Sequence, residues 1–390
     1  MTPLREIDMQ SVAVRNRSGV ALPMVLGALV LIGVLIAGVM FASLQEFRIG
    51  GNTQHQARAA TAAEFGLNRI LAEWQPMNNT KMLAGDTLKF TYTLSSGGVA
   101  NVTATRMPGP FYWVVSEGTA GAKRADLSAR RQYGSMFRLD QPDIGFLGAL
   151  TARGGVTVGG AAYVSGTDMT ASGWKGCPAI ANVAGVALPD TAGAKTPGCS
   201  VSKTCVSGTP ALLQTAAAND TSTYFNYGNT NYTKLAAVAS KVIASGTTIP
   251  SMTPTVTGGV CNTALLYNWG DANRNTPAGK CENYFPIIHA LGNIHITGGV
   301  GQGILLVDGD LQMSGSSWFV GVVIVRGTLR TSGSGAGIFG TVMAANVSLD
   351  ESTTIIGNSY VQYSSCAVAN VLAASAMVVP VKERAWIEVF

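Results

Sequence analysis

The first feature of the chain is one long apolar run. It extends from Val20 to Leu44, and no charged residue occurs between Arg17 and Glu46. As a helix, this run would span about 37 Å at about 1.5 Å per residue, which exceeds the roughly 30 Å of hydrocarbon in a bilayer. Basic residues such as Arg15 precede it, which predicts a cytoplasmic N-terminus and an exported remainder.

A second apolar pattern follows, with helical spacing. Its apolar positions recur every three or four residues, as on the buried face of a surface helix. They are Ala60, Ala63, Leu67, Ile70 and Trp74. Pro76 ends the pattern. We therefore expect one long helix over 20–76, with a membrane-spanning first part and an amphipathic second part.

Alternating apolar and polar residues then mark four short segments. These segments are 88–94, 99–105, 111–115 and 128–133. Clusters of Gly, Pro and Ser separate them, as expected for turns between strands. The pattern predicts a small antiparallel β-meander within 77–143.

A short repeat occupies the last part of the chain. Its units read Gly-x-apolar-x-apolar-or-Thr-x-Gly and begin at Gly154, Gly292, Gly309 and Gly327, and a version without the glycines begins at Ala345. The last four units are 17 or 18 residues apart. A repeat of this length is typical of coils built from short strands, with alternate apolar residues filling a narrow interior. We expect a β-solenoid domain over 144–365.

Two segments interrupt or end this repeat. Residues 171–286 are rich in Thr, Asn and Pro and hold five of the six cysteines, so we expect an excursion or an inserted subdomain. Residues 366–390 begin with helical composition and are expected to cap the open end of the coils. The predicted fold class is thus α+β, mostly β: a long N-terminal helix, a small antiparallel sheet, and a β-solenoid with a cysteine-containing insertion.

Composition narrows the classes of protein further. Hydrophobic residues make up 47% of the chain and charged residues 12%, and the 47 glycines follow no collagen period. High hydrophobicity with low charge argues against disorder, and the low charge also argues against an exposed helical bundle. The net charge is +5 without a dense basic block, so we expect no nucleic-acid partner.

The junction between Gly19 and Val20 resembles a class III signal of the prepilin type, and Leu22 and Pro23 agree with it. Further on, the segments 43–52 and 56–67 are similar to the N-terminal domain of the PilX family of minor pilins. The resemblance implies that a prepilin peptidase cleaves after Gly19. Residues 1–19 would then be a cytoplasmic leader, and Val20 would become the first residue of the mature protein.

The resemblance also implies a function and a location. A protein of this kind is a minor pilin or pseudopilin that takes part in the assembly of a type IV pilus or a related filament. It would cross the bacterial inner membrane once, with its head exported, and reach the pilus or cell surface after assembly. Its partners would be other pilin subunits, the inner-membrane assembly platform and the prepilin peptidase, with a glycan or surface ligand for the head. We expect neither a cofactor nor an enzymatic activity.

One position departs from the family pattern. Met24 stands where the family usually has a glutamate, the fifth residue after the cut. That carboxylate normally pairs with the N-terminal amine of the preceding subunit, and a carboxylate in hydrocarbon needs such a partner. A subunit without it is expected at or near the tip of the filament.

Other interpretations stay open. The apolar run exceeds the roughly 7–15 residues of an ordinary signal peptide, whereas a plain single-pass anchor fits it. A membrane-anchored, bactofilin-like solenoid scaffold would keep its leader and polymerise through its coil ends. A polysaccharide-acting β-helix enzyme would use Asp308 and Asp310 with Arg326 and Arg330. The 18-residue spacing of Asp308 and Arg326 equally fits a structural ion pair between neighbouring coils.

The cysteines all lie beyond the membrane helix, and their even number favours disulfides in an oxidising exterior. The candidates are Cys177, Cys199, Cys205, Cys261 and Cys281, with Cys366 as the sixth cysteine. We expect Cys261 to pair with Cys281, and Cys199 to pair with either Cys177 or Cys205. No CxxC spacing occurs, so a zinc site is not expected.

One acidic loop has partial calcium-loop spacing. Asp271, Asn273, Asn275 and Glu282 would take positions 1, 3, 5 and 12 of such a loop. Thr276 stands where the loop needs a glycine, and no clear helix flanks the segment. We expect an Asn- and Asp-rich turn, with calcium binding as the alternative.

Overall fold

The computed structural model describes residues 21–95, 97–121, 128–171, 173–174, 177, 181–198, 205–274, 280–346, 353–381 and 386–388. Within them the chain forms a long N-terminal helix, a six-stranded antiparallel sheet and a sixteen-stranded parallel sheet that curls. The predicted class, α+β and mostly β, is confirmed, as are the long apolar helix and the small antiparallel sheet.

The N-terminal helix, α1, extends over Ala21–Ala72 and continues through Gly50 and Gly51. Every described side chain over 22–50 is exposed. The shorter helices are α2 (Asn78–Lys81), α3 (Ser222–Phe225), α4 (Tyr232–Ala237) and α5 (Ser365–Ser375). Two small hairpins pair Asn226–Tyr227 with Thr230–Asn231 and Val256–Thr257 with Val260–Cys261.

The antiparallel sheet follows the predicted meander. Its first four strands are β1 (Thr87–Thr93), β2 (Val99–Arg106), β3 (Phe111–Gly121) and β4 (Ser128–Asp140), paired in chain order. Two strands from the end of the chain, Met377–Pro380 and Trp386–Glu388, also pair with β4. The last part of the segment 366–390, which was expected to cap the open end of the coils, therefore returns to the first sheet.

The second half of α1 packs on this sheet. Its buried side chains include Ala63, Leu67 and Ile70, three positions of the predicted stripe. The close approach depends on glycine. A Cβ on Gly118 of β3 would overlap backbone atoms of Ala59 and Ala63, so any side chain there would push the helix away.

The parallel sheet is built from three ribbons of strand segments, joined by bends. Ribbon A contains Thr247–Ile249, 294–296, 311–313, Leu329–Thr331, Thr353–Ile355, Val156–Val158 and Ala194–Lys195. Ribbon B contains Lys241–Ile243, Ile287–Ala290, 304–307, 322–325, 341–344, Gly148–Ala152, Ala184–Leu188 and Leu212–Gln214. Ribbon C contains 298–303, 316–321, 337–340, Tyr360–Tyr363, Tyr163–Ser165 and Val206–Ser207.

Several strands pass continuously from one ribbon to the next. Ile294–Val307 and Leu311–Val325 each contribute to all three ribbons, and Gly337–Ala344 contributes to ribbons C and B. The corner between C and B is formed by Gly303, Gly321 and Gly340, with φ of +121°, +140° and +145°. Residues with a Cβ rarely adopt this backbone conformation, which explains the glycine at each turn.

The strands do not stack in chain order. The strand Gly148–Ala152 pairs on one side with 342–344, which lies almost 200 residues later in the chain. On its other side it pairs with Ala184–Leu188. The predicted excursion over 171–286 is wrong in part, because strands within it join ribbons A, B and C. Strands from the beginning and the end of the parallel-sheet region thus become neighbours, which no local pattern in the sequence indicates.

Two of the three ribbons are covered by other parts of the chain. The middle strands of ribbon B are buried on both sides, whereas Val242 in its first strand is exposed. Residues 215–240, here called the strap, lie against this ribbon and include the buried Tyr224, Tyr227 and Tyr232. α5 lies on the strands of ribbon C that contain 298–303, 316–321 and 337–340, and its Val371 is fully buried, whereas Tyr163 of ribbon C is exposed. Ribbon A is buried on one side and keeps the other side towards solvent.

Candidate functional site

The apolar half of α1 forms an exposed apolar surface. This helix is long and apolar enough to cross a membrane, and none of its apolar window is buried within the protein. Leu44, at the end of the predicted span, is 52% exposed. The predicted cleavage residues Gly19 and Val20 lie outside the described residues.

An exposed apolar surface of this extent is stable only when another apolar phase covers it. A helix satisfies its backbone hydrogen bonds internally, so it can enter hydrocarbon without unpaired polar groups. Glu46 and Arg48 follow the apolar run at the boundary that the sequence predicts. α1 is therefore long and apolar enough to span a membrane, and it continues without a break into the part that packs on the antiparallel sheet.

A polar cluster lies where the strap meets ribbon B. The Asp308 carboxylate accepts a hydrogen bond from the Tyr232 hydroxyl through Oδ1, at 2.9 Å, and Oδ2 lies 2.9 Å from Nε2 of His289. Nη1 of Arg326 lies 3.7 Å from Oδ1. The same guanidinium lies over the rings of Phe225 and Tyr232, with its carbon 5.6 and 5.9 Å from their centroids.

This environment explains the state of the tyrosine. Burial, and then the neighbouring Asp308 carboxylate, raises the pKa of Tyr232 well above its ordinary value. The phenol therefore stays protonated and donates its hydrogen bond to Asp308. The hydrogen bond from Tyr232 to Asp308, and the contact of Arg326 with the rings of Phe225 and Tyr232, join the strap to ribbon B.

The ion pair between Asp308 and Arg326 was one of the two alternatives left open by the sequence. The structure contains it and adds Tyr232 and His289, which sequence reasoning missed. His289 lies one strand before Asp308 in ribbon B, so repeat spacing could have suggested it. Tyr232 comes from the strap, and no spacing in the sequence relates it to the repeat.

A second polar surface covers the open side of ribbon A, and we call it the polar ladder. Successive members are partners in neighbouring strands. In order along the ribbon they are Thr248, His295, Gln312, Arg330, Thr354, Thr157 and Lys195. Next to its first members lies a groove of about 330 Å³, whose lining includes Asn293 and Asp310.

The calcium-loop candidates do not form a ligand set among the described residues. Asp271 is buried, Asn273 is exposed, and a carboxylate oxygen of Glu282 lies 3.4 Å from the guanidinium of Arg274. Asn275 lies outside the described residues. In the part of the chain that the structure describes, no group of three or more His, Cys, Asp or Glu side chains could hold a metal ion.

The disulfides join distant parts of the chain. Cys261 is bonded to Cys281, the pair expected from the sequence. The alternative that joined Cys177 to Cys199 is wrong, because Cys177 is bonded to Cys366. Cys205 is also disulfide-bonded, and position 199 lies outside the described residues.

The Cys177–Cys366 bond ties the start of α5 to a residue that packs against the core of the parallel sheet. Asp168 acts at the same place, because its carboxylate accepts hydrogen bonds from the backbone N–H and the hydroxyl of Ser365. Sequence reasoning could not find this pairing, since the two cysteines are 189 residues apart.

Comparison with known proteins adds no relative. No family model matches the chain, no curated protein matches it, and no solved structure matches its fold.

Proposed function

We propose that the chain is a minor pilin or pseudopilin subunit of the PilX type, which takes part in the assembly of a type IV pilus or a related filament. The observation that carries the proposal is the division of α1. Residues 22–50 are exposed and apolar over most of their length, whereas the part that includes Leu67 and Ile70 is buried on the antiparallel sheet. A single helix thus serves as membrane segment and as core element of the head.

This division supports assembly in the plane of the membrane. A continuous helix fixes the position of the head relative to the membrane, because no flexible linker separates them. Helices in lipid associate through close packing of their surfaces, and residues 22–50 offer such a surface on all sides. The apolar halves would pack together while the heads remain exported.

The side chain at position 24 supports a place near the filament tip. Met24 is 69% exposed in the apolar half of α1. An apolar side chain there offers no charge to a neighbouring amine, so this subunit lacks an attraction to a subunit ahead of it. We accordingly place it at or near the tip of the filament in the bacterial envelope.

We also propose that the curled parallel sheet is a β-solenoid that forms the exposed head. Parallel pairing between units 17 or 18 residues apart, such as Leu311 with Leu329, supports this. The glycine corners between ribbons C and B support it as well, since they recur once per unit.

The mature N-terminus tests the pilin proposal. The full chain is expressed in bacterial membranes with and without an active prepilin peptidase, and its first residue is identified by mass spectrometry. We expect Val20 to be the first residue only with the peptidase, and Gly19→Val to prevent the cut. A control prepilin that is processed while this chain retains residues 1–19 would contradict the proposal and favour the bactofilin-like scaffold. A head released without α1 would contradict both.

A further inference from the structure

A row of aromatic side chains crosses ribbon C on the side that faces away from the core. Trp318 pairs with Gly337, Gly337 with Tyr360, and Tyr360 with Tyr163, so these four positions lie side by side in neighbouring strands. Side chains of a strand alternate between its two faces. The residue after each of the three aromatic residues is fully buried, whereas Tyr163 is 38% exposed and the other two are half-buried. We call Trp318, Tyr360 and Tyr163 the aromatic row.

The glycine within this row makes room for a ring. A Cβ on Gly337 would overlap the end of the Tyr360 ring, so that ring extends over the glycine towards the strand of Trp318. The ring of Tyr163 stacks on the ring of Tyr360, with centroids 5.4 Å apart and planes 10° apart. Parallel rings at this separation are offset, which is a favoured arrangement of aromatic rings. The two tyrosine rings thus tile the surface of ribbon C next to Trp318.

Helix α5 leaves this part of ribbon C open. A Cβ on Gly321, at the corner with ribbon B, would lie 3.0 Å from the side chain of Val371 in α5, and the neighbouring Val320 is fully buried. The aromatic row lies farther from that corner, at positions that keep exposed surface. The chain therefore covers ribbon C next to ribbon B, and aromatic rings form the surface on the other half.

The two tyrosine hydroxyls of the row are unpaired. Neither the Tyr163 nor the Tyr360 hydroxyl has a hydrogen-bond partner in the part of the chain that the structure describes. A phenol hydroxyl can both donate and accept a hydrogen bond. Trp318 contributes only ring surface, because its Nε1 is buried. The row therefore offers apolar ring surface together with two hydroxyl groups, which fits a ligand that is itself apolar on one face and rich in hydroxyls at its edges.

The surroundings of the row carry no charge. The strands of the row and the turns before them contain no Asp, Glu, Lys, Arg or His over 158–167, 313–325, 331–345 and 355–366. The exposed polar residues in these turns are uncharged, and they include Ser316, Ser334 and Asn358. An ionic ligand would lose hydration here without gaining an ion pair, so the surface favours a neutral ligand.

The length of the row favours a chain of several units over a single small molecule. Neighbouring strands lie about 4.8 Å apart, so the three steps from Trp318 to Tyr163 extend over about 14 Å. We propose that the aromatic row binds a neutral, extended, β-linked polysaccharide, which lies along ribbon C over these three side chains. The apolar C–H faces of its sugar rings pack on the aromatic rings, and its hydroxyls exchange hydrogen bonds with the two tyrosine hydroxyls. The binding is non-catalytic. This inference goes beyond the pilin proposal and does not rest on it.

Isothermal titration of the full chain with cellohexaose, a neutral β-linked glucose oligomer, tests the proposal. The chain is kept in a polyoxyethylene detergent, because the sugar head group of a glycoside detergent would compete. We expect Tyr163→Ala to weaken binding about tenfold through loss of a stacking ring. Tyr163→Phe keeps the ring and loses one hydrogen bond, so it should weaken binding only about threefold. The matched control is Phe111→Ala, which removes a ring that is 36% exposed on the antiparallel sheet and should leave binding unchanged.

A second variant disturbs the row without removing an aromatic residue. The methyl group of Gly337→Ala would displace the end of the Tyr360 ring, which can move aside, so binding should weaken about tenfold. A circular dichroism spectrum equal to that of the wild type verifies that each variant is folded. No binding of cellohexaose, wild-type affinity in both Tyr163→Ala and Gly337→Ala, or an equal loss in Phe111→Ala would overturn the proposal. Tighter binding of hexagalacturonate, which is acidic, or of an oligoproline peptide would overturn it as well.

Discussion

The contact between α1 and the antiparallel sheet makes one sharp prediction, because a single glycine permits it. In Gly118→Ala the new methyl group would overlap the carbonyl oxygen of Ala59 and lie 2.5 Å from the backbone nitrogen of Ala63. Both are atoms of the helix backbone, so no side-chain rotation can relieve the overlap. The helix must move away from β3 or the strand must bend.

The expected cost follows from two opposing effects. Overpacking of this kind costs about 1–3 kcal/mol, and a backbone overlap belongs at the upper end. Replacing glycine with alanine within a strand returns about 0.5–1 kcal/mol through the lower entropy of the unfolded chain. The net loss should be about 2 kcal/mol, or roughly a thirtyfold change in the ratio of folded to unfolded protein.

Urea unfolding of the full chain in detergent, followed by tryptophan fluorescence, measures this loss. Trp74 and Trp113 lie in the helix–sheet region and report on it. The matched control is Gly145→Ala, because a Cβ at Gly145 meets no atom within 4 Å. That variant should be as stable as the wild type or slightly more stable. If Gly118→Ala unfolds at the same urea concentration as Gly145→Ala, the described packing of α1 on β3 is wrong.

Three further predictions concern the parallel sheet. Cys366→Ser opens a loop of 189 residues, and without reductant it should lower the free energy of unfolding by about 5 kcal/mol. Cys261→Ser opens a loop of 20 residues and should lower it by about 3 kcal/mol. Equal losses in the two variants, or differences from the wild type that persist in reduced protein, would contradict the pairing. Burial raises the pKa of Tyr360 to about 12, so its contribution to the free energy of unfolding should be constant up to about pH 10. Above that pH the contribution should fall, because the tyrosine of the unfolded chain loses its proton first. If the tyrosinate absorbance of the folded protein is already complete at pH 10, Tyr360 is not buried. Asp308→Asn removes the charge that faces His289 and Arg326, so the strap should be cleaved faster in limited proteolysis. Asp140→Asn on the antiparallel sheet is the control. Equal cleavage of the two variants would show that the cluster does not hold the strap.

The elements that were predicted correctly depend on short-range pattern. The alternation in 88–94 and 99–105 gave the hairpin of β1 and β2 nearly to the residue, because side chains of a strand alternate between its two faces. The stripe through Leu67 and Ile70 identified the buried face of α1 for the same kind of reason. The repeat at Gly292, Gly309 and Gly327 identified strands that pair in parallel, whereas most of the unit that begins at Ala345 lies outside the described residues.

The features that the sequence did not predict are contacts between segments that are far apart in the chain. The excursion over 171–286 contributes strands to the same sheet, and Tyr232 reaches Asp308 from the strap. Neither contact has a fixed spacing along the chain, so periodicity carries no information about it. Of the two partners considered for Cys199, Cys177 was wrong for this reason, because proximity in sequence is a poor guide when a partner at Cys366 is brought close by folding.

The sequence by itself determined that an apolar helix long enough for a membrane precedes a β-rich region, because hydrophobic periodicity sets local structure and exposure. Only the tertiary structure decided that the strand Gly148–Ala152 pairs with 342–344, and that one side of ribbon A faces solvent. Every strand of a parallel sheet offers similar backbone hydrogen bonds to any neighbour. The order of stacking is therefore fixed by the shape and burial of the whole sheet, and it is this order that assembles the polar ladder from residues spread between Thr157 and Thr354.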